Sequence, residues 1–130
     1  LEAQGQAAEG LLTTLHYAEG LATEKNLAFR QSYRQRFAKE ADVYAVQGYD
    51  AGLLLAQSLQ TVGGNSRDRE AWIAAMEQVR IDSPRGEWRF SKAHNPMQNI
   101  SLREVQDGTN VVVGTAAEAL SDPALGCEMN

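Results

Sequence analysis

"VYAVQGYDAGLLLAQSL", residues 43–59, decides how this chain is read. An apolar run begins here, yet a phenol and a carboxylate, Tyr49-Asp50, stand near its start. As a working pair they would make the chain an enzyme; as helix punctuation they would make it a binder. Ala51, Leu54, Leu55, Leu59 and Val62 recur at helical spacing, and Leu53 and Ala56 widen the buried face. This predicts a helix over about 47–62, stopped by Gly63-Gly64-Asn65. Asp50 is then expected in its first turn, where unpaired amides and partial positive charge favour an acid. Its charge needs no catalytic explanation. Asp42, the nearest upstream acid, is not held beside it as a second carboxyl would have to be. Tyr49 is expected to pack its ring under the helix start. The feeding segment, Tyr44, Ala45, Val46 and Gln47, reads as a loop where free helix amides suit a small polar ligand.

Upstream, "EGLLTTLHY" (9–17) alternates as a strand, and both its faces suit packing, so neighbours are expected on both sides. Thr23 is placed to cap a helix that ends near Lys39, with Phe29, Tyr33 and Phe37 as its apolar stripe. Downstream, Ser66 is the expected cap of a third helix, with Trp72, Ile73, Met76 and Val79 facing inward. Ser83-Pro84-Arg85-Gly86 is turn chemistry, and Trp88 and Phe90 then alternate as in a half-exposed strand. Two further strands, about 100–105 and 111–113, are joined by a hairpin turn at Asp107-Gly108. The remainder reads as a short helix or an irregular tail. The expected order is strand, three helices, three strands. Three helices sharing so few strands make a poor self-contained α/β sheet.

The 130 residues suit a single domain. Hydrophobic residues make up 43% and charged residues 22%, and the net charge is −5. An acidic balance repels nucleic acid and anionic membranes. No apolar run approaches the roughly 20 residues of a membrane span. "LEAQGQAAEG" lacks the basic region and apolar core of a signal peptide. Cys127 is either a free thiol or the partner of a cysteine elsewhere. His16 and His94 lie in different elements without metal-ligand spacing, so no metal is expected, and His16 reads as a strand residue at a surface or an interface. No nucleophile elbow or glycine-rich phosphate loop is present, and no cofactor is implied. The basic run "RQSYRQRFAK" reads as a solvated helix face. Asn99-Ile100-Ser101 matches a glycosylation sequon at the start of an expected strand.

"GLLTTLHYAEGLATEKNLAFRQSYRQRF", "ADVYAVQGYDAGLLLAQSL" and "DSPRGEWRFSKAHNPMQNISLREV" together resemble the C-terminal portion of type 1 periplasmic solute-binding proteins. These are the leucine/isoleucine/valine receptors of ABC importers and their relatives. The resemblance is carried by an aromatic-ended strand before Asn26, Phe29 and Tyr33, by the Tyr49-Asp50-Ala51 helix segment, and by Ser83-Pro84 and Gly86 before an aromatic strand. Their order and spacing cover nearly the whole chain. It implies an α/β fold that is part of a Rossmann-like two-lobed protein, with three helices, a crossover strand and a C-terminal β-hairpin. Residues 1–130 would be the C-terminal fragment, mostly one lobe, with about 100–130 returning toward the other.

The resemblance also implies a function: an extracytoplasmic or periplasmic binding component of an ABC transporter. Its ligand would be a branched-chain or related amino acid, or a small aromatic carboxylate, and its macromolecular partner the permease. The ligand-binding residues would be Tyr17, near the hinge, Tyr44, matching an aromatic ligand contact, and Gln47, with no catalytic residue. The alternatives are a ligand-sensing regulatory domain of the same fold and a small self-standing enzyme. Apolar faces meant for absent chain would favour a homodimer.

Overall fold

A computed structural model describes residues 4–126. Cys127 lies outside the described residues. The order is a short 3-10 turn (Gly5–Ala8), β1 (Leu12–Leu15), α1 (Glu24–Phe37), α2 (Val43–Thr61), α3 (Arg69–Gln78), β2 (Arg80–Ser83), β3 (Gly86–Phe90), β4 (Pro96–Gln106) and β5 (Thr109–Leu120). The chain is a mixed α/β structure with three helices, an early strand and a C-terminal β-hairpin, as the sequence implied.

Helix α1 begins where its cap predicts: the Thr23 hydroxyl accepts from the Asn26 amide at 3.2 Å. It ends at Phe37 because Ala38 turns left-handed, with φ of 53°, and donates to the Arg34 carbonyl. Asn26 has no exposed surface. Its side chain donates to the carbonyls of Leu21 (2.8 Å) and Glu19 (3.3 Å) and accepts from the Tyr17 hydroxyl (2.9 Å). This buried amide ties the β1–α1 loop to the core formed by Tyr17, Phe29, Ala41 and Val46. The basic residues on the outer face are partly neutralised, since Glu40 pairs with both Arg30 and Arg34.

Helix α2 starts four residues earlier than its apolar pattern predicts. Asp42, not a later residue, is its cap: the Asp42 carboxylate accepts from the Ala45 amide at 2.8 Å. Tyr44, Ala45, Val46 and Gln47 are therefore helical and not a feeding loop, and Asp50 lies two turns into the helix. Helix α3 likewise begins on Asp68, which accepts from the Ala71 amide, and not on Ser66. Ser58 of α2 is buried; it accepts from the Trp72 indole at 2.9 Å and locks α3 against α2.

Strand β2 was not expected. Its alternation is plain in retrospect: Ile81 and Ser83 point inward, Arg80 and Asp82 outward. It forms a hairpin with β3 around Pro84-Arg85. At Asp107-Gly108 both residues have positive φ, 50° and 72°, as a type I′ turn requires. The Glu9 carboxylate accepts from both of their amides, at 3.0 and 2.7 Å. Strand β5 runs on through Leu120, where a helix or an irregular tail was expected. The long partner β4 overrides the weak local preference of "TAAEAL".

The sheet runs β1-β4-β3-β2, with β5 also paired to β4, and every pairing is antiparallel. Among the described residues β1 pairs with β4 alone, not with neighbours on both sides. Leu12 on β1 is 60% exposed.

Candidate functional site

The first half of α2, fixed by the Asp42 cap, separates two concave surfaces. The first is a cleft of about 410 Å³ whose polar wall is His16, Gln47, Asp50 and Arg85, with Trp88 and Phe90 as its aromatic wall. Ala51, Leu54, Pro96 and Gln98 complete it. Asp50 is 2% exposed. Its Oδ2 accepts from Arg85 Nε at 2.6 Å and from the Trp88 indole at 2.9 Å. The guanidinium carbon of Arg85 stands 5.2 Å from the centre of a Trp88 ring, within cation–π range. Asp50 is thus a buried counter-ion, and its place in an apolar helix follows from the Arg85 turn that reaches it.

The pair is not saturated. Asp50 Oδ1, Arg85 Nη1 and Gln98 Oε1 are buried without a hydrogen-bond partner. Gln47 Nε2 lies 3.3 Å from His16 Nε2. An amide nitrogen only donates, so in this arrangement His16 Nε2 accepts and the ring proton sits on Nδ1. Burial pushes the His16 pKa below its usual 6.5; Arg85 and Arg103 add to this and Asp50 opposes it. The imidazole is therefore neutral at pH 7. Among the described residues no cluster of His, Cys, Asp and Glu could hold a metal ion.

The second surface is a groove of about 370 Å³ lined by Phe29, Tyr33, Phe37, Tyr44 and Tyr49. Successive rings stand 6.0, 4.7 and 5.0 Å apart for Phe29–Tyr33, Tyr33–Phe37 and Phe29–Tyr49. Tyr49 packs on Phe29 of α1 rather than under the start of its own helix. Tyr44 is 75% exposed at the groove's edge.

The sequence candidates therefore separate. Gln47 lines the cleft and Tyr44, one turn earlier, lines the groove. Tyr17 is 1% exposed and belongs to the core beneath them. Its hydroxyl is engaged by Asn26, and burial raises its pKa to about 12. Its carbonyl accepts from Arg103 Nη1 at 2.9 Å, while Arg103 also holds the Thr13 hydroxyl. His16, Arg85 and Trp88 escaped the sequence reading as cleft residues. The available signal was Asp50 itself: an acid inside a buried helix face demands a cation, and a turn carrying arginine lay downstream.

Residues 1–110 match the family model described as periplasmic binding protein. A "Leu/Ile/Val-binding protein homolog 6" of Brucella abortus is 31% identical over 115 residues, 84% of this chain and 29% of that protein. A solved ABC transporter solute-binding protein from R. palustris, in complex with benzoate, superposes with a TM-score of 0.90 at 43% identity. It covers 98% of this chain, which spans 36% of that one. A solute-binding protein from Rhodopseudomonas palustris BisB5, in complex with 3,4-dihydroxybenzoic acid, gives 0.84 at 31% identity over 93% of this chain and 34% of its own. The leucine-binding protein of Thermotoga maritima shares the fold at a TM-score of 0.72 and 24% identity. All of these are binding proteins and none is an enzyme. With the family model matching most of its length and the α/β architecture in agreement, this chain belongs to the periplasmic binding protein family.

Proposed function

We propose that this chain is the C-terminal part of a two-lobed, extracytoplasmic solute receptor of an ABC importer, and that its ligand is a small aromatic carboxylate. Residues 1–130 supply most of one lobe, and about 100–130 return toward the other. The short coverage of the longer solved receptors supports the fragment reading. Among the described residues no helix is long and apolar enough to cross a membrane. The observation that carries the ligand reading is the cleft: an arginine with an unpartnered nitrogen, a neutral imidazole and an amide on one wall, indole and phenyl rings on the other. Polar donors fix a carboxylate and the aromatic walls take a flat ring. Likeness to the benzoate-bound protein supports the same class. Gln47 lines the cleft, Tyr44 stands one turn earlier on the same helix at the edge of the groove, and Tyr17 supports them from the core near the hinge. Closure of the lobes on ligand would present the bound state to the permease, a population shift without chemistry.

Calorimetry on the full-length receptor tests this. Benzoate is expected to bind, leucine to bind at least about tenfold more weakly, and Gln47→Ala to weaken benzoate. Leucine binding in preference to benzoate would reject the aromatic class. In the isolated chain Leu27, Phe37, Tyr44 and Tyr49 remain exposed, so concentration-dependent self-association is expected in sedimentation, and a clean monomer would exclude a homodimer.

A further inference from the structure

The cleft holds a charge problem. Arg85 is the cation on its wall, and Asp50 already balances it at 2.6 Å. Among the residues lining the cleft these two carry the fixed charges, so a carboxylate entering beside them meets a wall with no net charge. Burying an unbalanced anion is strongly unfavourable. Three charged groups face His16 from the elements around it: Asp50 on α2, Arg85 in the β2–β3 turn and Arg103 on β4. Arg103 lies outside the cleft lining, and its guanidinium donates to the Thr13 hydroxyl and the Tyr17 carbonyl rather than into the cleft. His16 is the one residue of the cleft wall that can gain a positive charge near neutral pH.

Resting on the aromatic-carboxylate reading above, we infer that His16 is a specificity residue that takes up one proton from solvent as the carboxylate binds, so the receptor captures anion and proton together. No bond between heavy atoms forms or breaks. The proton adds at Nε2, the nitrogen that accepts from Gln47 in the empty cleft. The amide of Gln47 then turns to offer its oxygen to the imidazolium, and its NH2 faces the ligand. The geometry prepares this exchange: burial and Arg85 keep the free imidazole neutral, and the arriving anion reverses that balance. A neutral ligand of the same shape gains nothing from it, which makes the device selective for acids.

Titration calorimetry of the full-length receptor at pH 7 with benzoate, in phosphate and in Tris, counts the protons. The expected result is a fractional uptake in wild type, absent in His16→Gln, and absent for benzyl alcohol. Benzoate Kd is expected to weaken toward a limit of about tenfold per pH unit as pH rises above 7 in wild type, and to stay flat in His16→Gln. Benzoate binding with buffer-independent heats overturns the inference and leaves the ligand reading standing. Uptake that persists in His16→Gln assigns the proton elsewhere and also overturns it. Failure of benzoate to bind at all overturns the ligand reading, and this inference with it.

Discussion

The two surfaces flanking the first half of α2 use different physics. The cleft is built from directional groups: Asp50, Arg85 and Trp88 fix one another at hydrogen-bond distances, and three of its buried polar atoms stay unpartnered. The groove is built from area, five aromatic rings from α1 and α2 with Phe37, Tyr44 and Tyr49 left exposed. A surface of the first kind discriminates, because a wrong ligand leaves buried polar atoms unmatched. A surface of the second kind adheres to many apolar partners. The difference teaches where sensitivity to mutation should lie: steep in the cleft and its supports, shallow at the groove's exposed edge.

The sharpest break is expected at Asp50. Asp50→Ala leaves the Arg85 guanidinium buried without a counter-charge and the Trp88 indole without an acceptor. The loss is expected to be about 3–5 kcal/mol in urea unfolding. The double change Asp50→Leu with Arg85→Met should recover much of it, since an apolar pair of similar volume replaces the ions at little net cost. A loss below about 1 kcal/mol for Asp50→Ala would mean that water already screens the pair, and the contrast between cleft and groove would fail.

The next effect lies at Tyr17. Tyr17→Phe removes the hydroxyl that satisfies the Asn26 side-chain oxygen. An orphaned buried acceptor costs about 1–3 kcal/mol. The same residue sets an alkaline limit. In the unfolded chain the phenol ionises near its usual 10.0, and in the folded chain burial holds it to about 12. The contribution is complete below pH 10 and is lost as pH rises toward 12, because the unfolded state releases the proton first. Tyr17→Phe should abolish that part of the alkaline loss, and melting temperatures between pH 9 and 11 read it directly.

A smaller effect is expected at the base of α2. Asp42→Ala removes the cap that accepts from the Ala45 amide, at about 1 kcal/mol. It should also loosen the turn carrying Tyr44 and Gln47. Faster amide exchange at Val46 than at Leu55 in the variant would be its signature.

These residues also mark what could be read in advance. Thr23, Asp107-Gly108 and Ser83-Pro84 were legible because each acts within a few residues of itself, by a side-chain cap or a turn geometry. The start of α2 was misread because Asp42 and Asp50 both qualify as first-turn acids in one dimension. Only the Arg85 turn, 35 residues after Asp50, settles which one is buried. Strand β2 is four residues long, too short for its period to stand out beside the end of α3. Strand β5 takes its length from β4, a long-range pairing that no local window contains. The cleft draws His16, Gln47, Arg85 and Trp88 from the end of β1, from α2, from the β2–β3 turn and from β3. Their juxtaposition is a property of the packed elements, and one of these residues reads as an ordinary turn arginine until Asp50 is placed.

Tyr44 gives the smallest expected change in stability and the most discriminating one. Its side chain lies in solvent at the edge of the groove, so Tyr44→Ala is expected to alter unfolding by less than about 0.5 kcal/mol. If the groove's edge serves only as surface for neighbouring chain, benzoate affinity in the full-length receptor stays at the wild-type value. If Tyr44 closes over the ligand from the rim, affinity falls severalfold while the urea midpoint stays fixed. Gln47→Ala, one turn away on the cleft side, should lower affinity by a comparable or larger factor, because it also removes the partner of His16. Binding and unfolding measured on both variants therefore separate the two surfaces: Gln47 alone affecting affinity confines the ligand to the cleft, and both affecting it places the ligand across the first turns of α2.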